Sequence, residues 1–219
     1  MRKMTGKEFS EQVEFFDTVA QTNWLSGLHQ ALKDKSGTWE KKDVLDVGCG
    51  TGRLLLKGAK EAASLTGIDL SEGMIKKARK LEALQPGKAS TTFIVGDAYA
   101  LPFVDRTFDI SISTLVMFLL PEPEKGIKEM ARVTKSNGIS ILLNPTPKMD
   151  PVAAEEYANA QALEGFEKES FLKWSNVSPR RHRFESGQLS ELLYEHGASY
   201  IHQEKALGDL ALLTKIVWN

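Results

Sequence analysis

The sequence predicts an α/β fold, a doubly wound, seven-stranded, mostly parallel sheet with helices on both faces. Three observations lead there. Short apolar runs alternate with helix-period stripes between Val44 and Leu143, the pattern of parallel strands joined by helical crossovers. The first run ends in a glycine-rich turn, Gly48-Cys-Gly-Thr-Gly52. Polar residues close the first three runs, where ligands bind in an open parallel sheet.

Each element has its own signal. Residues 5–35 read as helical, with Phe9, Val13, Phe16 and Ala20 on one face and Trp24, Leu28 and Leu32 on another. Such aromatic stripes usually pack as core, and Phe16 or Trp24 is also placed to cover a ligand. A polar connector, 36–43, leads to a buried strand, Val44–Val47. Helix-period residues then predict a helix over about 51–63. Leu65–Asp69 is the second strand, and Ser71 is positioned to cap the next helix, striped by Met74, Ile75, Ala78 and Leu81. Pro86-Gly87 breaks that helix. Thr92–Val95 is the third strand and Phe108–Thr114 the fourth.

Pro121-Glu-Pro-Glu opens a helix carrying Ile127, Met130, Ala131 and Thr134, which Asn137-Gly138 is expected to end. Ile139–Leu143 is the fifth strand, closed by Asn144-Pro145. Residues 145–185 break the rhythm, with Pro145, Pro147 and Pro151 followed by two short helical stretches, one around Tyr157 and one around Trp174. They read as an insertion over the site. Ser186 is expected to cap a last helix ending at Gly197. Two strands, about 198–205 and 210–218, then turn on Gly208-Asp209. The organisation is one domain: a helical N-terminal cap (1–40), a core (41–144), a helical insertion or lid (145–185) and a closing helix and strand pair (186–219).

Composition narrows the class. The chain has 219 residues, a net charge of −1, 42% hydrophobic and 26% charged residues, ordinary for a globular protein. No broad basic footprint for nucleic acid is present. The single cysteine, Cys49, allows no internal disulfide. With no apolar signal core at the N-terminus and no apolar run long enough to span a bilayer, the expectation is a cytoplasmic protein without a membrane span. The four histidines show no metal-ligand spacing, so no metal is expected.

The site is read from the strand ends. Glycines at 48, 50 and 52 let backbone approach a ligand closely. The dinucleotide fingerprint G-x-G-x-x-G would need its third glycine at Arg53, so a nicotinamide cofactor is disfavoured. Asp69 lies 17 residues after Gly52, and a carboxylate there can accept both hydrogen bonds of a ribose diol. Asp97 follows the third strand.

These motifs resemble the class I S-adenosylmethionine (SAM)-dependent methyltransferases, in their small-molecule, UbiE-like (type 11) group. Asp46-x-Gly48-x-Gly50-x-Gly52, Asp69-Leu70-Ser71, Gly96-Asp97-Ala98-x-x-Leu101-Pro102-Phe103, Phe108-Asp109 and Glu129–Gly138 are similar to that family's motifs, in order. The resemblance implies the Rossmann-like methyltransferase fold with an antiparallel last strand, and SAM as cofactor with S-adenosylhomocysteine (SAH) as product. It implies a cofactor site of Asp46, Gly48, Cys49, Gly50, Gly52, Asp69, Leu70, Met74, Asp97, Ala98, Thr114 and Leu115. Asp69 would hold the ribose and Asp97 would face the adenine amine.

Methyl transfer asks mainly for alignment and water exclusion, with a base needed only for a protonated nucleophile; no catalytic side chain is assigned. Met117-Phe118-Leu119 stands where relatives carry histidines, which predicts an apolar wall. Cys49 reads as a small filler rather than a nucleophile. Phe16, Trp24, Phe118, Asn144, Tyr157, Arg180 and Arg183 are the substrate candidates. Arg180-Arg181-His182-Arg183 reads first as a solvated basic face, or else as a site for a carboxylate or phosphate. The expected partner is a small-molecule substrate, with a homodimer possible. The rival readings are a non-catalytic SAM-binding module acting through a partner, and a protein methyltransferase.

Overall fold

A computed structural model describes every residue except Pro86. The N-terminal cap is three helices rather than two: α1 (Gly6–Ser10), α2 (Val13–Val19) and α3 (Asn23–Lys35). Two of the three helices start on a side-chain cap. Thr5 and Glu8 form a reciprocal capping box on α1, and the Thr22 hydroxyl restarts the chain by accepting from the Leu25 amide.

Strand β1 (Asp43–Val47) is followed by a single 3₁₀ turn, Leu55–Gly58, in place of the helix expected over 51–63. Helical spacing was present, but the backbone is committed elsewhere. The Ala59 carbonyl accepts from the Lys88 and Ala89 amides, and the Glu61 carbonyl accepts from the Lys41 amide. Those bonds tie down the loops entering β1 and β3 and compete with helical pairing.

Strand β2 (Ser64–Asp69) leads to α4 (Glu72–Leu84), where Ser71 accepts from the Met74 amide at 3.1 Å, as expected. Half of the expected Pro86-Gly87 break, Pro86, lies outside the described residues. Then come β3 (Ser90–Val95), β4 (Phe108–Thr114), α5 (Pro123–Val133) and β5 (Thr134–Pro145). Helix α5 ends at Val133, so Asn137-Gly138 is not its stop. Those two residues instead carry the irregular start of β5, with Asn137 at φ 61°. At the helix end the Thr134 hydroxyl donates back to the Met130 carbonyl at 2.6 Å and sits in a buried cluster with Ser111 and Ser140.

The insertion supplies α6 (Pro151–Ala160) and α7 (Gly165–Val177), followed by α8 (Ser186–Glu195), β6 (Ala198–Ala206) and β7 (Ala211–Trp218). Ser186 does not cap α8. Its hydroxyl donates to Gln203 on β6, and no side chain caps that helix.

The sheet runs β3-β2-β1-β4-β5-β7-β6. The first five strands are parallel and β7 is antiparallel to both neighbours. Val44 pairs with Leu65 on one side and Ile110 on the other, both within the buried core. Strand order reverses between β1 and β4, which is where an open α/β sheet leaves a crevice.

Candidate active site

The glycine turn leaves β1 at that crevice. Gly48, Gly50 and Gly52 have φ of 76°, 53° and 78°, a region costly for other residues. Their surroundings differ. A Cβ on Gly48 would lie 2.2 Å from Val116, and one on Gly52 would lie 2.7 Å from the Phe93 ring. On Gly50 it would meet nothing within 4 Å. Only Gly50 leaves space for a ligand; the other two are glycine because the protein itself is close.

Asp69, at the end of β2, organises this turn. One carboxylate oxygen accepts from the Gly50 amide at 2.9 Å and the other from the Ser71 amide at 2.8 Å. Burial nevertheless pushes its carboxyl up, against those two bonds. Asp46 is 2% exposed, and its Oδ1 has no hydrogen-bond partner. Burial, with Asp69 nearby, pushes its carboxyl up to about 8. Cys49 is buried, its thiol pushed up by the same desolvation, and it sits where a Cβ on Gly67 would come within 2.8 Å of its sulfur. It is a packed filler and not a reactive thiol.

A cavity of about 330 Å³ opens from these strand ends. Asp46, Gly48, Cys49, Gly50, Asp69, Leu70, Met74, Asp97, Ala98, Thr114 and Leu115 all line it, so eleven of the twelve expected cofactor residues converge. Gly52 packs behind the wall. Leu115 turns the chain after β4 at φ 55°. Asp97 is not free: both its oxygens lie 2.6 Å from Lys3 Nζ, which also sits 3.8 Å over the Tyr99 ring.

The roof comes from segments distant in sequence. Trp24 on α3 stacks on Trp174 of α7 with centroids 5.7 Å apart and 5° between planes, and meets Phe171 edge-on. Its Nε1 donates to Ser170, and Glu167 accepts from the Asn23 amide at 2.7 Å. Arg53 holds α2 down through a two-point contact with Asp17, at 2.7 and 3.0 Å. Burial opposes ionisation of Asp17, yet the Arg53 contact holds its carboxyl below the usual range.

The substrate candidates divide. Phe16, Trp24 and Phe118 line the cavity, whereas Asn144, Tyr157, Arg180 and Arg183 do not. Asn144 is buried within β5 opposite Leu212. Tyr157 packs on Phe171, 5.4 Å between centroids. Arg180 is exposed, and Arg183 donates to the Pro147 carbonyl at 2.8 Å. The basic run ties the insertion to its neighbours, since Arg181 donates to the Arg2 carbonyl and the His182 amide to the Phe118 carbonyl.

Sequence reasoning missed Phe15, His29, Lys173 and Trp174 on the cavity wall, and it used Arg53 only as a missing glycine. The helical stripe of Trp24, Leu28 and Leu32 was visible, but which face met the cavity was not. Among the described residues, no three His, Cys, Asp or Glu side chains converge as a metal site.

Residues 45–142 match the family model described as methyltransferase domain. That segment is similar to methyltransferase domains and makes up less than half of the chain. The demethylmenaquinone methyltransferase of Desulfitobacterium hafniense is 29% identical over 80% of this chain and 64% of its own length. The phosphatidylethanolamine N-methyltransferase of Cereibacter sphaeroides is 38% identical over 54% of this chain and 58% of its own. The chain thus spans less than two thirds of the length of these relatives. In the complex of the Haloferax volcanii Trm112 methyltransferase activator with a methyltransferase, the matching chain superposes with a TM-score of 0.71 at 19% identity, covering 98% of this chain and 97% of that one. That likeness is one of fold. The matched segment runs from β1 into β5, and the helical roof lies outside it.

Proposed function

We propose that the chain transfers the methyl group of SAM to a small, largely apolar acceptor. One observation carries this reading: a single cavity is lined both by the glycine turn and Asp69 and by Phe15, Phe16, Trp24, Phe118 and Trp174. The names of its relatives, which act on a quinone precursor and a phospholipid, support an apolar acceptor.

The residues present suit SAM. Gly50 leaves room for a ligand beside the turn, Asp69 offers acceptors for a ribose diol, and Leu70, Met74 and Ala98 give apolar walls. Asp97 would take the adenine amine in place of Lys3. Asp46 and Thr114 bring buried polar atoms without partners to the same cavity. SAM, when bound, supplies a methyl group already activated on sulfur. The chain's own share is to hold the acceptor in line and keep water out, and such orientation can supply about 7–11 kcal/mol in favourable cases. The aromatic roof excludes water and presents flat surfaces to a ring or chain.

The cytoplasmic location and the homodimer belong with this proposal. Isothermal calorimetry with SAM, followed by mass spectrometry of methylated products from a panel of apolar hydroxy- and amino-compounds, tests it. Binding of SAM with no methylated product from any panel member would favour the non-catalytic module.

A further inference from the structure

Nine buried side-chain nitrogens or oxygens among the described residues have no hydrogen-bond partner, and four belong to residues on the wall of this one cavity. Two are on the sheet side, Asp46 Oδ1 and Thr114 Oγ1. Two are on the roof, His29 Nδ1 on α3 and Trp174 Nε1 on α7. Unpartnered buried polar atoms are rare in a folded protein, and each costs stability unless a ligand completes it.

His29 stands out within the roof. Apart from Trp174 Nε1, its polar neighbours on the roof are engaged: Ser170 accepts from Trp24, and Lys173 Nζ sits 3.7 Å over the Phe15 ring. His29 is 6% exposed on an otherwise apolar stretch of α3, beside Trp24 and Leu25. A leucine there would bury more favourably. Burial, reinforced by the charge of Lys57, pushes its imidazole down to about 3, so it is neutral across the working range. A neutral imidazole has one nitrogen that accepts and one that donates. At that basicity it accepts a hydrogen bond without taking the proton.

We propose that His29 is a substrate-binding and specificity residue, accepting a hydrogen bond from a hydroxyl on an otherwise apolar acceptor. The inference rests on the reading of the cavity as the methyl-acceptor site. Trp174, which can only donate, gives the roof a second polar point suited to an oxygen atom. The pairing selects a hydroxylated apolar ring over its unsubstituted or O-methylated counterpart.

The test uses the full chain saturated with SAH, with 2-naphthol, naphthalene and 2-methoxynaphthalene as probes and quenching of tryptophan fluorescence as the readout. The wild type should bind 2-naphthol at least tenfold more tightly than either counterpart. His29→Leu should lose most of that preference, chiefly by weakening 2-naphthol, while SAH affinity and thermal stability hold or rise. His29→Gln, which retains an acceptor, should recover part of it. A preference for 2-naphthol that survives in His29→Leu overturns the proposal, and so does a wild-type complex that binds SAH but not 2-naphthol. Failure of the wild type to bind SAH or SAM at all would instead defeat the methyltransferase reading beneath it.

Discussion

Replacing Asp46 with asparagine should stabilise the ligand-free protein at alkaline pH. Asp46 is buried at the end of β1 with Oδ1 unpartnered and its carboxyl pushed up to about 8. In the unfolded chain an aspartate titrates near 3.9. Between these values the folded state holds a proton that the unfolded state has lost. The contribution of Asp46 to stability is therefore fully present below about pH 4 and falls as pH rises towards 8, at about 1.4 kcal/mol per unit. The ceiling is roughly 5–6 kcal/mol above pH 8 and roughly 4 at pH 7. Water entry and local relaxation reduce it, so about 2–4 kcal/mol is expected at pH 8.5. Asparagine has nearly the same shape and does not titrate. Urea unfolding of both proteins without SAM, from pH 5 to 8.5, gives a difference curve that removes the shared contribution of Asp69. The variant should match the wild type within about 1 kcal/mol at pH 5, allowing for an unpaired amide, and exceed it at pH 8.5. Parallel curves across that range would refute the argument.

Three further outcomes follow from the same geometry. Asp69→Ala should weaken SAM binding at least tenfold by calorimetry and, by freeing the Gly50 and Ser71 amides, cost about 1–3 kcal/mol in urea melts without unfolding the domain. Gly67→Ala puts a methyl group 2.6 Å from the Phe93 ring and 2.8 Å from Cys49; it should lower stability by about 1–3 kcal/mol and disturb the turn that Cys49 belongs to. Arg53→Gln leaves buried Asp17 with Thr51 and with Lys77, at 3.4 Å, and should cost roughly 2 kcal/mol, less than a fully orphaned charge. Since the Asp17 carboxyl is depressed in the fold, its stabilising contribution is present at neutral pH and lost on acidification, and hydrogen exchange in α2 should show that loss in the wild type and a smaller one in the variant.

The convergence of the candidate cofactor residues was legible because its determinants are local. Gly48 and Gly50 sit in the first strand-to-helix turn, Asp69 ends the next strand, and sheet topology brings successive strand ends together. Eleven of those residues met in one cavity. The errors were also physical. Leu54–Leu56 carry helical spacing, yet the carbonyls of Ala59 and Glu61 serve distant loops. Asn137-Gly138 looks like a helix stop, but Thr134 had already joined the buried serine cluster. The run 180–183 reads first as a solvated basic face, with an acid site as the alternative; in the fold two of its arginines brace backbone carbonyls.

The substrate half was not legible for a different reason. Trp24 and Trp174 are 150 positions apart and meet only when the insertion folds over the cap. Nothing near His29 in the sequence distinguishes a core histidine from one on a cavity wall. By itself, the sequence determined the sheet, the glycine turn and the acidic strand ends, because strand order and turn chemistry are written in neighbouring residues. The tertiary structure alone decided the roof, since its contacts depend on how two helical segments pack across the crevice. It also showed that Gly50 opens toward a ligand while Gly48 and Gly52 are glycine for close packing.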